Sequence, residues 1–423
     1  MKRTLLLAFS LAAAAASAQN LPLWWTGSTA TNDPSDTTVA TAIDATNSTY
    51  QLAKVTAPGN QDIRLTKFNS LGQAVWTRLY DFGTVDVANA MQLDADGDPV
   101  FVGSRFDAGT STTQMLLAKA DKTTGDLLWN RSYAPQAGGT SRIAFDFKIL
   151  PDATIIVAGT NNDAGGEHPS VVKFNESAAF ALFTKNYSFV GRSTHIDYSG
   201  THLFAGTELI TPAHYLAVIQ MPIADGVGDI VRPTFNGGDN YYQFTDIAAL
   251  NSSSCALTGY LSSDLAGTLP IRSLYGAINV VTGSHTFRNN PAETFFLTRD
   301  VEYDMAAGTV AYQAYVNAGG TYVLMGAYNP VTGLSDVSTS YSVVGAAAGL
   351  QSLGNNRFAA LTNNGANLAV NLVDFTLGWQ SSTAVGPATV PIGPSGIPLA
   401  VHSNLSAAGR AVVVGGSSAA NPR

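Results

Sequence analysis

Three features of the sequence predict an all-β chain folded as a β-propeller. The chain repeats itself about every 50 residues, and each repeat contains two strand–turn–strand pairs. After the first residues, no stretch carries a capped helical period. A four-stranded unit exposes apolar faces that only neighbouring units can cover, and a radial arrangement covers all of them. We therefore expect four-stranded blades around a central axis.

The outer half of the repeat is clearest in the segments DIRLTKFNSLGQAVWTRLY and MLLAKADKTTGDLLWNRSY. Their tryptophans, Trp76 and Trp129, are 53 positions apart. A weaker copy, SVVKFNESAAFALFTKNY, places Phe183 another 54 positions on. Each copy has two apolar, β-branched or aromatic runs around a turn of Gly, Asn and Asp, which predicts the third and fourth strands of a blade.

The inner half of the repeat is a hairpin whose second strand ends in glycine. Copies include ANAMQLDADGDPVFVGS, FDFKILPDATIIVAGT and DIAALNSSSCALTGY, and the closing glycines are Gly103, Gly159, Gly206, Gly259 and Gly415. These hairpins predict the first and second strands of successive blades.

The repeat predicts eight blades, with seven blades and a C-terminal tail as the alternative. Seven complete units are predicted at 38–83, 87–136, 143–189, 192–237, 244–290, 298–341 and 344–382. A further hairpin at 399–418 would share the eighth blade with LPLWWTGS at 21–28, which resembles a last strand. This arrangement closes the ring and removes unpaired sheet edges. The Pro/Gly-rich segment 383–398 is predicted to be a connector.

The first 18 residues have the pattern of a secretory signal. Lys2 and Arg3 precede an apolar run that is too short to span a membrane comfortably, and Ala16-Ser17-Ala18 offers a small-residue cleavage site. We therefore expect a signal peptide at 1–18 and a single β-propeller domain at 19–423. The expected location is outside the cytoplasm, either secreted or in the periplasm and cell envelope, with no transmembrane segment.

Composition narrows the classes of partner. The chain has 22 Lys and Arg against 30 Asp and Glu, a formal net charge of −8, and no basic run, which argues against nucleic-acid binding. The single cysteine, Cys255, lies in the apolar run CALTGYL and is predicted to be a buried free thiol, not a nucleophile. We expect a monomer.

These segments resemble bacterial β-propeller repeats of the SBBP type, whose pattern is D-x-x-x-x-K-x-x-x-x-G-x-x-x-W followed by a strand pair ending in V-x-G. The matching residues are Asp62, Lys67, Gly72 and Trp76, together with Lys119 and Trp129. The phrase ADKTTGDLLWN also resembles the quinoprotein repeat, in which such a segment docks a Trp between blades. The resemblance implies a fold and an exported bacterial setting but no activity. Quinoprotein enzymes would need paired cysteines, so no cofactor is expected.

Charged and polar residues recur near the start of each blade's first strand. The residues at related positions are Asn89, Asp146, Arg192, Asp246 and Arg299. First strands line the central channel of a propeller, so these side chains are predicted to form a mixed-charge ring at the channel mouth. The alternative is that they pair with one another or with backbone N–H groups.

The loop NGGDNYYQ offers a second candidate ligand-binding surface. Asp239, Tyr241 and Tyr242 lie beside glycines between two blades, a composition that suits contact with carbohydrate or protein. The two tyrosines could equally pack inward at the start of the next strand.

Metal sites are weighed at two places and not predicted. DADGDP, from Asp94 to Pro99, resembles the start of a calcium loop, but a hairpin turn explains its Asp and Gly better. His168 and His214 are weak candidates for zinc ligands, with Glu167 and Glu208 nearby in sequence.

Two functions from different classes remain open. The first is an exported, non-enzymatic propeller that recognises protein or glycan through one face, which the lack of a catalytic motif favours. The second is a polysaccharide hydrolase or lyase with its site at the channel mouth. It would be favoured if Asp146 and Asp246 lay close together and one had a raised pKa. A structural component of the envelope is a third, weaker possibility.

Overall fold

The computed structural model describes most of the chain after residue 36. The described residues are 37–46, 48–57, 60–71, 73–210, 215–235, 241–262, 271–286, 288–289, 296–317, 321–330, 341–344, 346–363, 367–376, 379–387, 401–405 and 411–415. All regular structure in these ranges is β-strand. The predicted signal peptide and the predicted N-terminal strand at 21–28 lie outside the described residues.

The first four units contain sixteen strands, four in each unit. They are β1 (Thr37–Ile43), β2 (Thr49–Ala57), β3 (Asn60–Phe68), β4 (Ala74–Tyr80), β5 (Asp86–Leu93), β6 (Pro99–Asp107), β7 (Thr112–Ala120), β8 (Leu127–Tyr133), β9 (Ser141–Ile149), β10 (Ile155–Asp163), β11 (Gly166–Phe174), β12 (Ala181–Asn186), β13 (Gly191–Ser199), β14 (His202–Leu209), β15 (Tyr215–Pro222) and β16 (Ile230–Phe235).

Three more four-stranded units and one hairpin complete the described strands. They are β17 (Tyr241–Asn251), β18 (Ser254–Ser262), β19 (Ile271–Asn279), β20 (Arg288–Asn289), β21 (Phe296–Asp304), β22 (Thr309–Asn317), β23 (Thr321–Tyr328), β24 (Tyr341–Val344), β25 (Ala346–Gly354), β26 (Arg357–Asn363), β27 (Asn367–Asp374), β28 (Trp379–Pro387), β29 (Val401–Leu405) and β30 (Ala411–Gly415).

Each unit is an antiparallel sheet in which strands pair in chain order. A single parallel bridge, Thr113 to Ser141, joins the second sheet to the third. The first strand of each sheet lies against the first strand of the next, from β1 through β25 to β29, and β29 lies against β1. The prediction of an all-β propeller of four-stranded blades is therefore confirmed.

The seven predicted units coincide closely with the seven observed sheets, with one difference at the C-terminal side. Strand β28 extends to Pro387, so the residues from 383 to 387 belong to a blade and not to a connector. They continue the ladder with β27, where Asn367 pairs with Pro387. The hairpin β29–β30 takes the place predicted for the start of the eighth blade. The count of eight blades stays a prediction, because the strand expected to complete the last blade lies outside the described residues.

Every first strand of the seven four-stranded units carries a β-bulge near its middle. In β5 the register shifts between Ala88 and Ala90, and corresponding shifts occur in β1, β9, β13, β17, β21 and β25. A bulge increases the local twist and brings the strand close to its partner. A Cβ on Gly103 would overlap the carbonyl oxygen of Val87. This close approach explains the recurring glycine of the second strand, which lies in the middle of β6 and β10 and not at the strand end predicted from the sequence.

Aromatic side chains at the outer strands lock neighbouring blades together. Trp76 is buried and packs on the turn of the next blade, where a Cβ on Gly125 would lie 2.8 Å from its ring. The hydroxyl of Tyr80 donates a 2.7 Å hydrogen bond to the carbonyl of the same glycine. One blade later, Tyr133 donates to the carbonyl of Ala178 in the same way. Trp76 of the first blade thus docks on the turn of the second, while Trp129, the tryptophan of the quinoprotein-like segment, is partly buried against the core that contains Ala178.

Candidate functional site

The first strands around the axis have backbone N–H and C=O groups that are not paired in a β-ladder. The polar side chains of these strands supply hydrogen bonds to some of these groups. Each first strand forms an extended ladder only with the second strand of its own blade, and β9 adds a single parallel bridge to β7. The other edge of each first strand therefore carries N–H and C=O groups without ladder partners, and buried groups of this kind need hydrogen bonds. Polar side chains from the preceding blade supply several of them.

Asp146 and Asp246 show this role most clearly. One oxygen of Asp146 accepts the N–H of the adjacent Phe147 at 2.8 Å, and the other accepts Ile196 N–H of the next blade at 3.0 Å. Asp246 repeats the arrangement, accepting its own neighbour at 2.8 Å and Val301 N–H of the next blade at 3.1 Å. Both carboxylates therefore join the first strands of consecutive blades.

Other first-strand side chains bridge blades in the same direction. Asn89 donates to the carbonyl of Ala144 at 2.6 Å. Gln92 both donates to a carbonyl and accepts an N–H of β9, and Asp197 accepts Ala249 N–H at 2.7 Å. For Asn89, Asp146 and Asp246, the structure thus shows the alternative weighed from the sequence, which is pairing with the backbone of a neighbouring strand.

The two predicted arginines differ from these residues. Arg192 forms an ion pair within its own blade, with its Nε 2.7 Å from Glu208. Glu208 also accepts Phe244 N–H of the next blade at 3.1 Å, so the pair fixes a blade junction. Arg299 lies at the bulge of β21, between Thr298 and Asp300, and its side chain is outside the described part of the chain.

Four ionisable residues of the axial region were missed by the sequence analysis. Lys148 stands two residues after Asp146 on the same face of β9, and His195 and Asp197 lie on one face of β13. Glu302 lies on β21. We refer to Asp146, Lys148, His195, Asp197, Asp246 and Glu302 as the axial cluster. Counting from each bulge would have found these residues, because alternate residues of a strand share a face.

The electrostatics of the axial cluster centre on Lys148, whose Nζ lies 3.2 Å from Asp197. Burial lowers the pKa of Lys148, but Asp197 and Asp146 outweigh it and raise that pKa above its ordinary value. Loss of hydration raises the pKa of Asp146 and lowers the pKa of His195. Burial and the nearby Asp246 raise the pKa of Glu302 to about 8. Lys148 is therefore protonated and positively charged at neutral pH, and the raised pKa of Glu302 favours its neutral, protonated form.

For Tyr242, the structure shows the inward packing that the sequence left open as the alternative, so this side chain is not part of an exposed ligand-binding surface. Its side chain is 4% exposed and packs in the core with Phe244 and Leu257, because alternation along β17 turns it toward the blade interior. Tyr241 pairs in the ladder with Ser262, and its side chain is outside the described part of the chain, as is all of Asp239.

The DADGDP segment forms a hairpin turn that holds its own cation. Asp94 accepts the N–H groups of Asp96 and Asp98 at 3.0 and 2.9 Å, and Gly97 has a φ of +84°. The Nζ of Lys119 lies 2.5 Å from Asp94 and 3.3 Å from Asp98. We call residues Asp94 to Asp98 with Lys119 the lysine-bridged turn. The lysine ammonium therefore neutralises charge on two of the three carboxylates of this turn.

Of the remaining single-residue candidates, His168 and Cys255 lie within the described residues. His168 contacts Asp163 through Nε2 at 3.2 Å and the carbonyl of Phe189 through Nδ1 at 3.1 Å. His214 lies outside the described residues. Cys255 is fully buried, as predicted, and burial raises the pKa of its thiol, so the nucleophilic thiolate is disfavoured.

Comparisons with known proteins show the fold of this chain but not its family or its activity. No family model and no curated protein matches this chain. Solved structures similar to it include the Dos1 propeller (TM-score 0.51, 10% identity, covering 88% of this chain and 88% of that one) and a europium-containing methanol dehydrogenase (0.50, 9%, 92% and 87%). A PL25 ulvan lyase is also similar (0.50, 9%, 81% and 91%). At these identities the likeness supports a β-propeller and carries no activity.

Across the ranges the structure describes, there is no helix with the length and apolar character needed to cross a membrane.

Proposed function

We propose that this protein is an exported, non-enzymatic β-propeller of the bacterial secreted repeat type, which binds a protein or a glycan through one face. The proposal rests on the hydrogen bonds that Asp146 and Asp246 accept from the backbone. Each of their four carboxylate oxygens accepts a backbone N–H group. These contacts hold both carboxylates against the backbone of two blades, whereas a general base or nucleophile must reach a substrate atom, so these two residues are poor candidates for catalysis.

The two faces of the disc differ in how their loops are built. On one face, the turns within the first and third strand pairs are short and closed by side chains, as at Asp94, Asp121, Asp152 and Asn251. On the opposite face, the described connections vary in length, from the tight turn at Asp163–Gly166 to the longer stretch from Tyr133 to Ser141 between β8 and β9. Variable loops on a rigid scaffold are the usual place for recognition, so we assign ligand binding to this second face.

The test is a glycan-array and pull-down screen with the mature protein and two variants. Tyr241→Ala alters the start of β17 on the variable-loop face, and Asp96→Ala alters an exposed residue of the opposite face as its control. A ligand retained by Asp96→Ala and weakened by Tyr241→Ala supports the assigned face. A ligand that is lost only in Asp96→Ala places binding on the other face.

A second candidate function, cleavage of a polysaccharide at the axis, is favoured by one observation. Glu302 has a pKa raised to about 8, so it would be a protonated acid at neutral pH. Since the acid must hold its proton, activity would fall as the pH rises through about 8. A reducing-end assay on a polysaccharide panel, with Glu302→Gln beside the parent protein, decides this. Cleavage that disappears in Glu302→Gln would favour an enzyme over the binding protein.

A further inference from the structure

Three aspartates converge where the first blade meets the second. Asp62 lies in β3, Asp81 directly follows β4, and Asp86 is the first residue of β5. One oxygen from each carboxylate lies within 4.8 Å of an oxygen from each of the other two. We call Asp62, Asp81 and Asp86 the junction cluster. It draws on both blades, and a parallel bridge between Gln61 and Val85 runs beside it.

One carboxylate oxygen of Asp86 is buried without a hydrogen-bond partner among the described residues, and this points to a ligand. Its side chain is 0% exposed, and its Oδ2 accepts the N–H groups of Phe82 and Gly83 at 2.6 and 3.1 Å. Its Oδ1 is closed off from solvent and has no hydrogen-bond partner within the described chain. A buried carboxylate oxygen left without a donor is costly, and its presence in a native fold needs an explanation.

The carboxylates of Asp62 and Asp81 do not compensate the unpaired oxygen of Asp86, because they bring no hydrogen-bond donor or positive charge to it. Asp62 is 8% exposed and accepts one hydrogen bond, from Asn60 at 2.9 Å, while Asp81 is exposed. Among the described residues, no lysine or arginine forms an ion pair with any member of the junction cluster. Burial and mutual repulsion raise the pKa values of Asp62 and Asp86 above the ordinary range for aspartate.

We propose that the junction cluster is a calcium site that joins the first and second blades. All three side chains offer only oxygen, which selects a hard cation over zinc or copper. Calcium–oxygen distances are about 2.3–2.6 Å, so two ligands on opposite sides of the ion are about 4.6–5.2 Å apart. The three carboxylate oxygens lie within 4.8 Å of one another, so they are close enough together for one such ion to contact all three.

Calcium fits this place better than magnesium. Magnesium demands near-octahedral geometry and keeps several waters, whereas calcium accepts irregular sets of six to eight oxygens. The junction cluster is irregular, with ligands from a strand, a loop and a strand start, and one exposed member open to water. An ion here would be bound by carboxylates of both blades at once, so its binding should stabilise the junction between them. An affinity of about 10⁻⁴–10⁻³ M, as in other extracellular calcium modules, is expected.

The test uses the purified protein without the predicted signal peptide, stripped of metal with EDTA and titrated with calcium chloride alone. Isothermal titration should show a saturable site, and the thermal midpoint should rise with calcium. Asp81→Asn removes an exposed ligand without touching the core, and should weaken this binding at least about tenfold. Asp96→Asn is the matched control, because Asp96 is also exposed and belongs to the other group of three aspartates. It should bind calcium like the parent protein.

Two results would overturn the proposal. The first is no saturable binding by the parent protein up to calcium concentrations about tenfold above the expected range. The second is binding that Asp81→Asn leaves unchanged, since the ion would then be held elsewhere. Asp86→Asn is a further variant whose calcium response should also be lost, and Asp81→Asn keeps the test valid if Asp86→Asn fails to fold.

Discussion

The lysine-bridged turn and the junction cluster are both groups of three aspartates, yet they are built in opposite ways. In the turn, the carboxylates come from one short segment, and Lys119 is bonded to two of them. In the junction cluster, they come from two blades, and no cation of the described chain pairs with them. The comparison teaches that an aspartate-rich motif predicts a metal site only when the fold supplies no positive charge of its own. The more calcium-like sequence is therefore the poorer calcium site.

The largest expected effect comes from removing the internal cation of the turn. Lys119→Met leaves the carboxylates of Asp94 and Asp98 close together without a cationic partner, in a position where each side chain is about 15% exposed. We expect the free energy of unfolding to fall by about 2 kcal/mol, between the values for exposed and buried pairs. Urea unfolding in EDTA measures this. Calcium should restore part of the loss, because the turn then lacks its own cation.

The control for that experiment is Lys122→Met. Lys122 lies in the neighbouring turn and is exposed, and its ammonium donates to the backbone carbonyl of Asp96. Its backbone N–H, which the substitution leaves in place, donates to Asp98. Loss of the ammonium should change the unfolding free energy by no more than about 0.5 kcal/mol. Equal effects of the two lysine variants would mean that the carboxylates of the turn do not depend on Lys119.

A smaller effect is expected from giving the junction cluster a cation of its own. Asp81→Lys places an ammonium group beside Asp62 and Asp86 at an exposed position, and it imitates Lys119. In EDTA we expect the variant to be more stable than the parent protein by about 1 kcal/mol, since it neutralises two partly repelling carboxylates. Its thermal midpoint should not respond to calcium. A calcium response of parental size in Asp81→Lys would separate calcium binding from this cluster.

The smallest effect is expected at Asp96. This residue is the exposed member of the lysine-bridged turn, and only its backbone groups make the hydrogen bonds assigned to it. Asp96→Asn should therefore change the free energy of unfolding by less than about 0.5 kcal/mol in the presence or absence of calcium. Thermal unfolding followed by circular dichroism is sufficient to check this. A loss above 1 kcal/mol, by the same scale, would show that the turn uses all three carboxylates.

Much of the blade architecture could be predicted because it is written as a local repeat. Trp76 and Trp129 mark corresponding outer strands, and glycines such as Gly103 mark the strand that approaches a bulge. Both signals follow from strand alternation and turn chemistry within about 50 residues. The end of β28 was predicted too early, because its last residues are Pro- and Gly-containing and still pair with β27.

The candidate site could be predicted only in part. The repeat located Asn89, Asp146 and Asp246 on the correct strands, but the groups they bond lie about 50 residues away, on the next blade. Lys148 and Glu302 were missed because their importance comes from neighbours on other strands. The choice between an exposed and an inward Tyr242 stayed open, because burial depends on which face of β17 turns inward, and that follows from register.

The sequence by itself determined the strand content, the blade length and the order of the sheets, because these depend on periodicity and on residues close along the chain. Only the tertiary structure decided which charges meet. It paired Lys119 with the aspartates of one turn and brought Asp62, Asp81 and Asp86 together without a lysine. Electrostatic interactions depend on distance through space and on burial, and neither is a local property of the chain.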